Sequence, residues 1–217
     1  MRQTLLRMAL SGVVALMLAA CGGGGGDGGD DPSGPSVIQV VSGDAQTGGV
    51  GTELPVALTV RVTDSSARPS VGTTVTWSTA SGTGTVTPAT GTTDDNGTTS
   101  ARWTLGTTAG TQRVSATVAG IPAAQFTATA TAGAVSAVVV TSPSMQPYEG
   151  DSVQFVATVR DEFGNVVPGA AVTWSSDDPE RFPVSASGRL NTWGTGPVTV
   201  TAAIDGIDGS VQLSVVP

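Results

Sequence analysis

Apolar and polar residues alternate along most of this chain. From Glu53 to Asp64 it reads ELPVALTVRVTD, with Val56, Leu58, Val60 and Val62 at one parity and Ala57, Thr59, Arg61 and Thr63 at the other. Successive side chains of a strand point to opposite faces, so a period of two predicts a half-buried antiparallel strand with the valines inward. The beat returns at Val75 and Trp77, at Ala101, Trp103 and Leu105, at Val114, Ala116 and Val118, and at Phe126, Ala128 and Ala130. A second series runs through 135–141, then Val153, Phe155, Ala157 and Val159, then Val172 and Trp174, Val184 and Leu190. It closes with Val198, Val200, Ala202 and Ile204, followed by Val211, Leu213 and Val215. Gly, Pro, Asp and Asn clusters separate the runs. In Asp94-Asp95-Asn96-Gly97 the Asn-Gly pair predicts a type I′ hairpin turn.

The two series are copies of one plan. VRVTD at 60–64 matches ATVRD at 157–161, and Val75-Thr76-Trp77-Ser78 matches Val172-Thr173-Trp174-Ser175. Asp64 and Asp161 stand 97 positions apart, as do Trp77 and Trp174. VSATVAG at 114–120 echoes VTAAIDG at 200–206 at the shorter offset of 86, which predicts a shorter loop in the second copy. A repeat of this length predicts tandem modules, with boundaries at 37–132 and 133–217. About seven short strands in each stretch of roughly 90 residues predict an all-β chain of two Ig-like β-sandwiches. Trp77, Trp103 and Trp174 are the expected core residues, because burying an indole on a central strand contributes about 1.5–3 kcal/mol or more.

The first 36 residues break the pattern. Arg2 and Arg7 precede an apolar stretch from Met8 to Ala20. It is shorter than the ~20 residues a spanning helix needs and fits the apolar region of a secretory signal. Cys21, the only cysteine, follows directly. A single thiol makes no internal disulfide and would invite intermolecular ones in an oxidising compartment. Leu18-Ala19-Ala20-Cys21 resembles the lipobox of bacterial lipoproteins. The resemblance implies cleavage between Ala20 and Cys21 and acyl chains, palmitate among them, on Cys21, so that residues 1–20 are lost and the protein is held to a membrane by lipid. Two or more acyl chains hold far better than one, each buried methylene contributing about 0.8 kcal/mol. Gly22 after the cysteine fits outer-membrane sorting in preference to inner-membrane retention. GGGGGDGGDDPSGPS at 22–36 has nothing apolar to bury and reads as a flexible tether with a reach of roughly 20 Å.

Composition removes most chemistry. The chain has nine basic residues, all arginine, against 17 carboxylates, for a formal net charge of -8, and no histidine. Nucleic-acid binding rests on clustered cations, which this balance opposes. Without histidine there is no imidazole base, no Ser-His-Asp relay and no His-ligated zinc. The reading is therefore non-enzymatic, with no catalytic residues and no cofactor beyond the lipid on Cys21.

Two resemblances refine the sandwiches. TDDNGTTSARWTLGTTAGTQRVSATVAG at 93–120 resembles the domain end of group 1 bacterial Ig-like domains, the invasin and intimin type. The segment from Val138 to Ala202, with its Gly-Asp turn, Thr-Trp-Ser strand and Val-Ser-x-x-Gly, is similar to the group 2 type. The resemblance covers most of the chain after residue 36 and implies adhesion, binding of a surface protein or glycan, or a spacer role. A calcium-stiffened scaffold subunit and an accessory of a carbohydrate-active enzyme are the alternatives. Calcium takes 6–8 oxygens. The candidate carboxylates are Glu149 and Asp151, placed near the junction of the two modules, and the cluster Asp177, Asp178 and Glu180. Solvated turn carboxylates are the simpler reading of all five. Tyr148 and Phe163 are candidate exposed anchors, whereas Phe182 and Trp193 are read as structural.

Overall fold

The computed structural model describes residues 34–217. The leader, with Ala20 and Cys21, lies outside the described residues, as does the glycine run of the tether. Every regular element among the described residues is a strand. No helix there is long and apolar enough to cross a membrane.

The N-terminal half contains β1 (Val37–Ser42), β2 (Gln46–Gly49), β3 (Leu58–Thr63), β4 (Thr74–Thr79), β5 (Thr85–Thr87), β6 (Thr90–Thr92), β7 (Thr98–Thr104), β8 (Gly110–Thr117) and β9 (Ala124–Thr131). One sheet runs β1-β3-β7-β5 and the other β2-β9-β8-β4-β6. The chain changes sheet between β1 and β2, so that β2 pairs in parallel with β9, from Gln46↔Ala128 to Gly49↔Thr131. Inward positions of both sheets form one cluster: Leu58, Val60 and Val62 meet Val75, Trp77, Trp103, Val114 and Phe126. Trp77 and Phe126 pack tilted, with ring centroids 5.7 Å apart. The Trp103 indole N–H donates to the Thr83 carbonyl at 2.9 Å. That of Trp77 is buried and finds no acceptor among the described residues.

Two local expectations fail here. Val56 shares the parity of Leu58 but precedes β3 and is 47% exposed. Its N–H donates to the Gln46 Oε1 and its carbonyl accepts from the Gln46 Nε2, so a side-chain amide replaces the strand ladder at that point. Asn96-Gly97 is not a hairpin turn either. β6 pairs with β4 while β7 pairs with β3 and β5, so the chain crosses between sheets there. Only Gly97 has positive φ, at +72°, and a type I′ turn needs it at both central residues. That pair is found instead at Asp205 (φ +52°) and Gly206 (φ +81°).

The C-terminal half contains β10 (Val135–Thr141), β11 (Ser152–Gln154), β12 (Val156–Asp161), β13 (Thr173–Ser176), β14 (Arg189–Asn191), β15 (Gly196–Ile204) and β16 (Ile207–Val215). Asp205-Gly206 joins the long pair β15 and β16. Its ladders are β13-β15-β16, β10-β12 and β11-β14. Phe155 sits between β11 and β12, buried, with its N–H donating to the Gly188 carbonyl at 2.8 Å. The apolar residues form two clusters, one around Phe155, Phe182, Leu190 and Val198 and one around Val138, Val159 and Ala202. Trp174 is half-buried and touches both. The backbones of β10 and β16 approach so closely that a Cβ on Gly209 would collide with the Val138 carbonyl. No core cluster mixes residues of the two halves. All described residues nevertheless fall within one compact unit.

Candidate functional site

Four five-residue loops share one backbone design. In Asp64–Arg68, Asp94–Thr98, Asp161–Asn165 and Ser185–Arg189, the N–H of the first residue donates to the carbonyl of the fifth. The N–H of the fourth donates back to the carbonyl of the first. The side chain of the first residue then accepts from the fifth N–H, at 2.8–3.0 Å. Short polar side chains favour such closure because they mimic a backbone turn. The fourth residue must be left-handed: Ala67 (φ +61°), Gly97 (+72°), Gly164 (+84°) and Gly188 (+81°). Gly188 is also the floor under Trp174, since a Cβ there would stand 2.8 Å from the indole ring. This is the physical content of the Val-Ser-x-x-Gly pattern in the sequence.

Of the four, Asp161–Asn165 also joins the halves. Asp161 is buried, and its Oδ2 accepts from the Gly133 N–H at 2.9 Å and from the Asn165 amide at 2.8 Å. Asn165 then reaches the N-terminal half. Its Oδ1 accepts from the Ala109 N–H at 2.9 Å and its Nδ2 donates to the Thr107 carbonyl at 2.8 Å. The Phe163 ring lies over the Gly51 turn, 3.9 Å from where a Cβ on that glycine would be. Burial pushes the Asp161 carboxyl up, yet the donors from Asn165, Gly133 and Phe163 outweigh it and hold it below the usual carboxylate range. A carboxylate so held is a fixed acceptor and not a proton donor at neutral pH. The candidate anchor Phe163 thus faces the N-terminal half, and Asp161, in the sequence a landmark of the repeat, serves the contact. No sequence signal marks Asn165 for this role.

The far end of the C-terminal half carries the exposed aromatics. Tyr148 is 63% exposed and Trp193 65%. Their loops are tied by the buried Thr192 hydroxyl, which lies 2.8 Å from the Tyr148 carbonyl and 3.0 Å from that of Asp151. The structural reading of Trp193 is thus corrected: the residue precedes β15 and its ring points outward, whereas Phe182 is fully buried. Glu149 and Asp151 are corrected as well. They sit at this far end, beside Val216 and Thr192, and not at the junction with the N-terminal half.

The carboxylates of this end cap backbone. Asp151 accepts from the Tyr148 N–H at 2.8 Å, and Asp177 from the Thr199 N–H at 2.9 Å. Asp178 pairs with Arg181 at 2.7 Å, and that guanidinium holds its carboxyl below the ordinary value. Glu180 lies on the same exposed loop. Among the described residues no three acidic side chains converge as a metal would need. An open cleft of about 620 Å³ lies along this end, lined by Pro143, Met145, Gln146, Pro197, Gln212 and Leu213 among others, with no ionisable side chain in its wall. Trp77 and Trp103 are buried and Trp174 half-buried.

No protein-family model and no curated protein matches this chain. Solved structures do. The Escherichia coli adhesin FdeC is similar at a TM-score of 0.59 and 24% identity, over 82% of this chain and 62% of that one. InvD of Yersinia pseudotuberculosis is similar at 0.54 and 21%, over 83% of this chain and 57% of that one. The chain thus spans less than two thirds of either relative. At these identities the likeness is one of fold: the chain is all-β, with the Ig-like architecture of bacterial adhesin domains.

Proposed function

We propose that this is a non-enzymatic cell-envelope protein, lipid-anchored through Cys21, whose two Ig-like modules form a short stiff stalk that presents its far end to a protein partner. The first module is of the invasin and intimin type and the second of the group 2 type. The observation that carries the reading is Asn165, whose amide spans the halves by pairing with the Thr107 carbonyl and the Ala109 N–H. A side-chain amide that bonds two backbone groups of one half while held by the Asp161 carboxylate of the other leaves little freedom at a connection as short as 132–134. Similarity to an adhesin and the outward-facing Tyr148 and Trp193 support a binding role for the far end, since aromatic side chains dominate protein interfaces energetically. The lipobox-like quartet supports the anchor, outer membrane in preference to inner.

Two measurements test this. Cells fed an alkyne-tagged palmitate should label the protein, and Cys21→Ser should abolish the label and release the chain from the membrane fraction. Labelling that survives Cys21→Ser would refute the anchor. Small-angle scattering should give one extended rod for the native chain and a broader distance distribution for Asn165→Ala. Identical curves would refute the stiff stalk.

A further inference from the structure

The face that receives the Asp161–Asn165 loop has a twin, and the twin is uncovered. In the N-terminal half that face is the Gly49–Thr52 turn and the Thr107–Ala109 loop. Val50 donates to Thr131, Thr52 to Gly49, and Gly51 to Gly106, all through backbone N–H groups. At the far end of the C-terminal half the same three bonds recur: Glu149 donates to Val216, Asp151 to Tyr148, and Gly150 to Thr192. Tyr148–Asp151 therefore corresponds to Gly49–Thr52. Trp193–Thr195, just before β15, corresponds to Thr107–Ala109, just before β8. Gly51 lies under Phe163, whereas a Cβ on Gly150 would meet nothing within 4 Å.

The loop has a twin too. Asp64–Arg68 copies the backbone of Asp161–Asn165 and lies at the opposite end of the molecule, after β3. Ser66, Ala67 and Arg68 are all exposed. Arg68 makes no ion pair among the described residues.

We infer that these two free twins dock on one another between molecules, so that the far end of one copy receives the Asp64–Arg68 loop of a second copy. The side chains are complementary in size and charge. In the internal contact the bulk is on the loop, as Phe163, and the receiving turn offers glycine. In the external one the loop offers Ser66 and the receiving face supplies Tyr148 and Trp193. Arg68 stands at the place of Asn165, with donors where Asn165 Nδ2 donates to Thr107, and the face brings it Glu149 beside two aromatic rings. A loop-on-face contact between different surfaces is heterologous, and because the two twins lie at opposite ends of the molecule it joins copies end to end. Two loops bury little area, so the contact is weak in dilute solution and gains from the local concentration of copies held at one surface. To that extent it rests on the anchored reading. A strand lying along the membrane lets every copy keep its own anchor at Cys21.

The test is disulfide crosslinking of full-length protein between two epitope-tagged variants, Ser66→Cys in one and Tyr148→Cys in the other, in envelopes with Cys21 intact and, with Cys21→Ser added to both, on purified protein at high concentration. Both positions are exposed, and the fold of each variant is checked by circular dichroism. The expected product is a dimer carrying both tags, with neither variant forming a dimer alone. Arg68→Glu should reduce it about tenfold, and Glu149→Arg in the partner copy should restore it. A Tyr148→Cys dimer without the second variant, capture of a different protein at Tyr148→Cys, or no two-tag dimer in either setting would overturn the inference. A two-tag dimer on purified protein but not in envelopes would sustain the docking and count against the anchor instead.

Discussion

Trp77 and Trp174 occupy the same place in the two halves, yet only the first is sealed. Trp77 is 4% exposed within a single cluster that draws on both sheets. Trp174 is half-buried at the seam between two smaller clusters, over Gly188 and 6.2 Å from the Phe155 ring. One sequence plan, shortened by its second loop, gives a continuous core in one case and a divided one in the other. The loops show the same divergence. Asp64 and Asp161 close identical turns, but only the second carries the Phe and Asn that reach another surface.

The comparison breaks first at the tryptophans. Trp77→Ala should cost about 3–5 kcal/mol, as large-to-small changes in sealed cores do, and Trp174→Ala distinctly less, because its site is already open to water. Urea unfolding of each variant checks this, and equal losses would mean that the two cores are equivalent. A finer cut separates Trp103 from Trp77. Trp103→Phe abandons the Thr83 carbonyl, whereas Trp77→Phe removes a buried donor that has no acceptor. The first should therefore cost more than the second by about 1–3 kcal/mol.

Acid should act on the loops. The Asp94 carboxyl is held below its ordinary 3.8 by the Thr98 N–H and hydroxyl, and the Asp161 carboxyl by donors that outweigh its burial. A folded-state value depressed in this way gives stability that is present in full above the unfolded value and lost as pH falls through the folded one. Urea midpoints should thus decline below about pH 4, and Asp94→Asn and Asp161→Asn should each be less stable at neutral pH with a shallower acid decline. The smallest effect is at the fourth loop position. Ala67→Gly should stabilise by roughly 0.5 kcal/mol, because relief of a left-handed alanine slightly exceeds the added chain entropy. Gly164→Ala should destabilise by about 1 kcal/mol, visible in the same titrations.

Strand positions were legible because burial on one face forces a period of two, and Leu58, Val60, Val62, Val75, Trp77, Trp103, Val114 and Phe126 obey it. The repeat was legible because Asp64 and Asp161, like Trp77 and Trp174, serve the same local geometry. Asn96-Gly97 misled for a physical reason. A turn signal is local, and it does not say whether the flanking strands pair with each other or enter different sheets. Trp193, Glu149 and Asp151 were misplaced because which end of a sandwich a loop occupies depends on the whole strand order. Asn165 was invisible because its value lies in two backbone groups, at Thr107 and Ala109, more than fifty residues away.

The parallel pairing of β2 with β9 has a mechanical consequence. Tension drawn along the N-terminal half between its first and last strands loads the four register pairs from Gln46↔Ala128 to Gly49↔Thr131 together, in shear. The C-terminal half has at the same place the single parallel bridge Tyr148↔Val216, with backbone N–H bonds from Ser214 to Met145, Val216 to Pro147 and Glu149 to Val216 around it. Pulled from both ends, the chain should therefore give way in its C-terminal half first, leaving the N-terminal sandwich intact to bear the load.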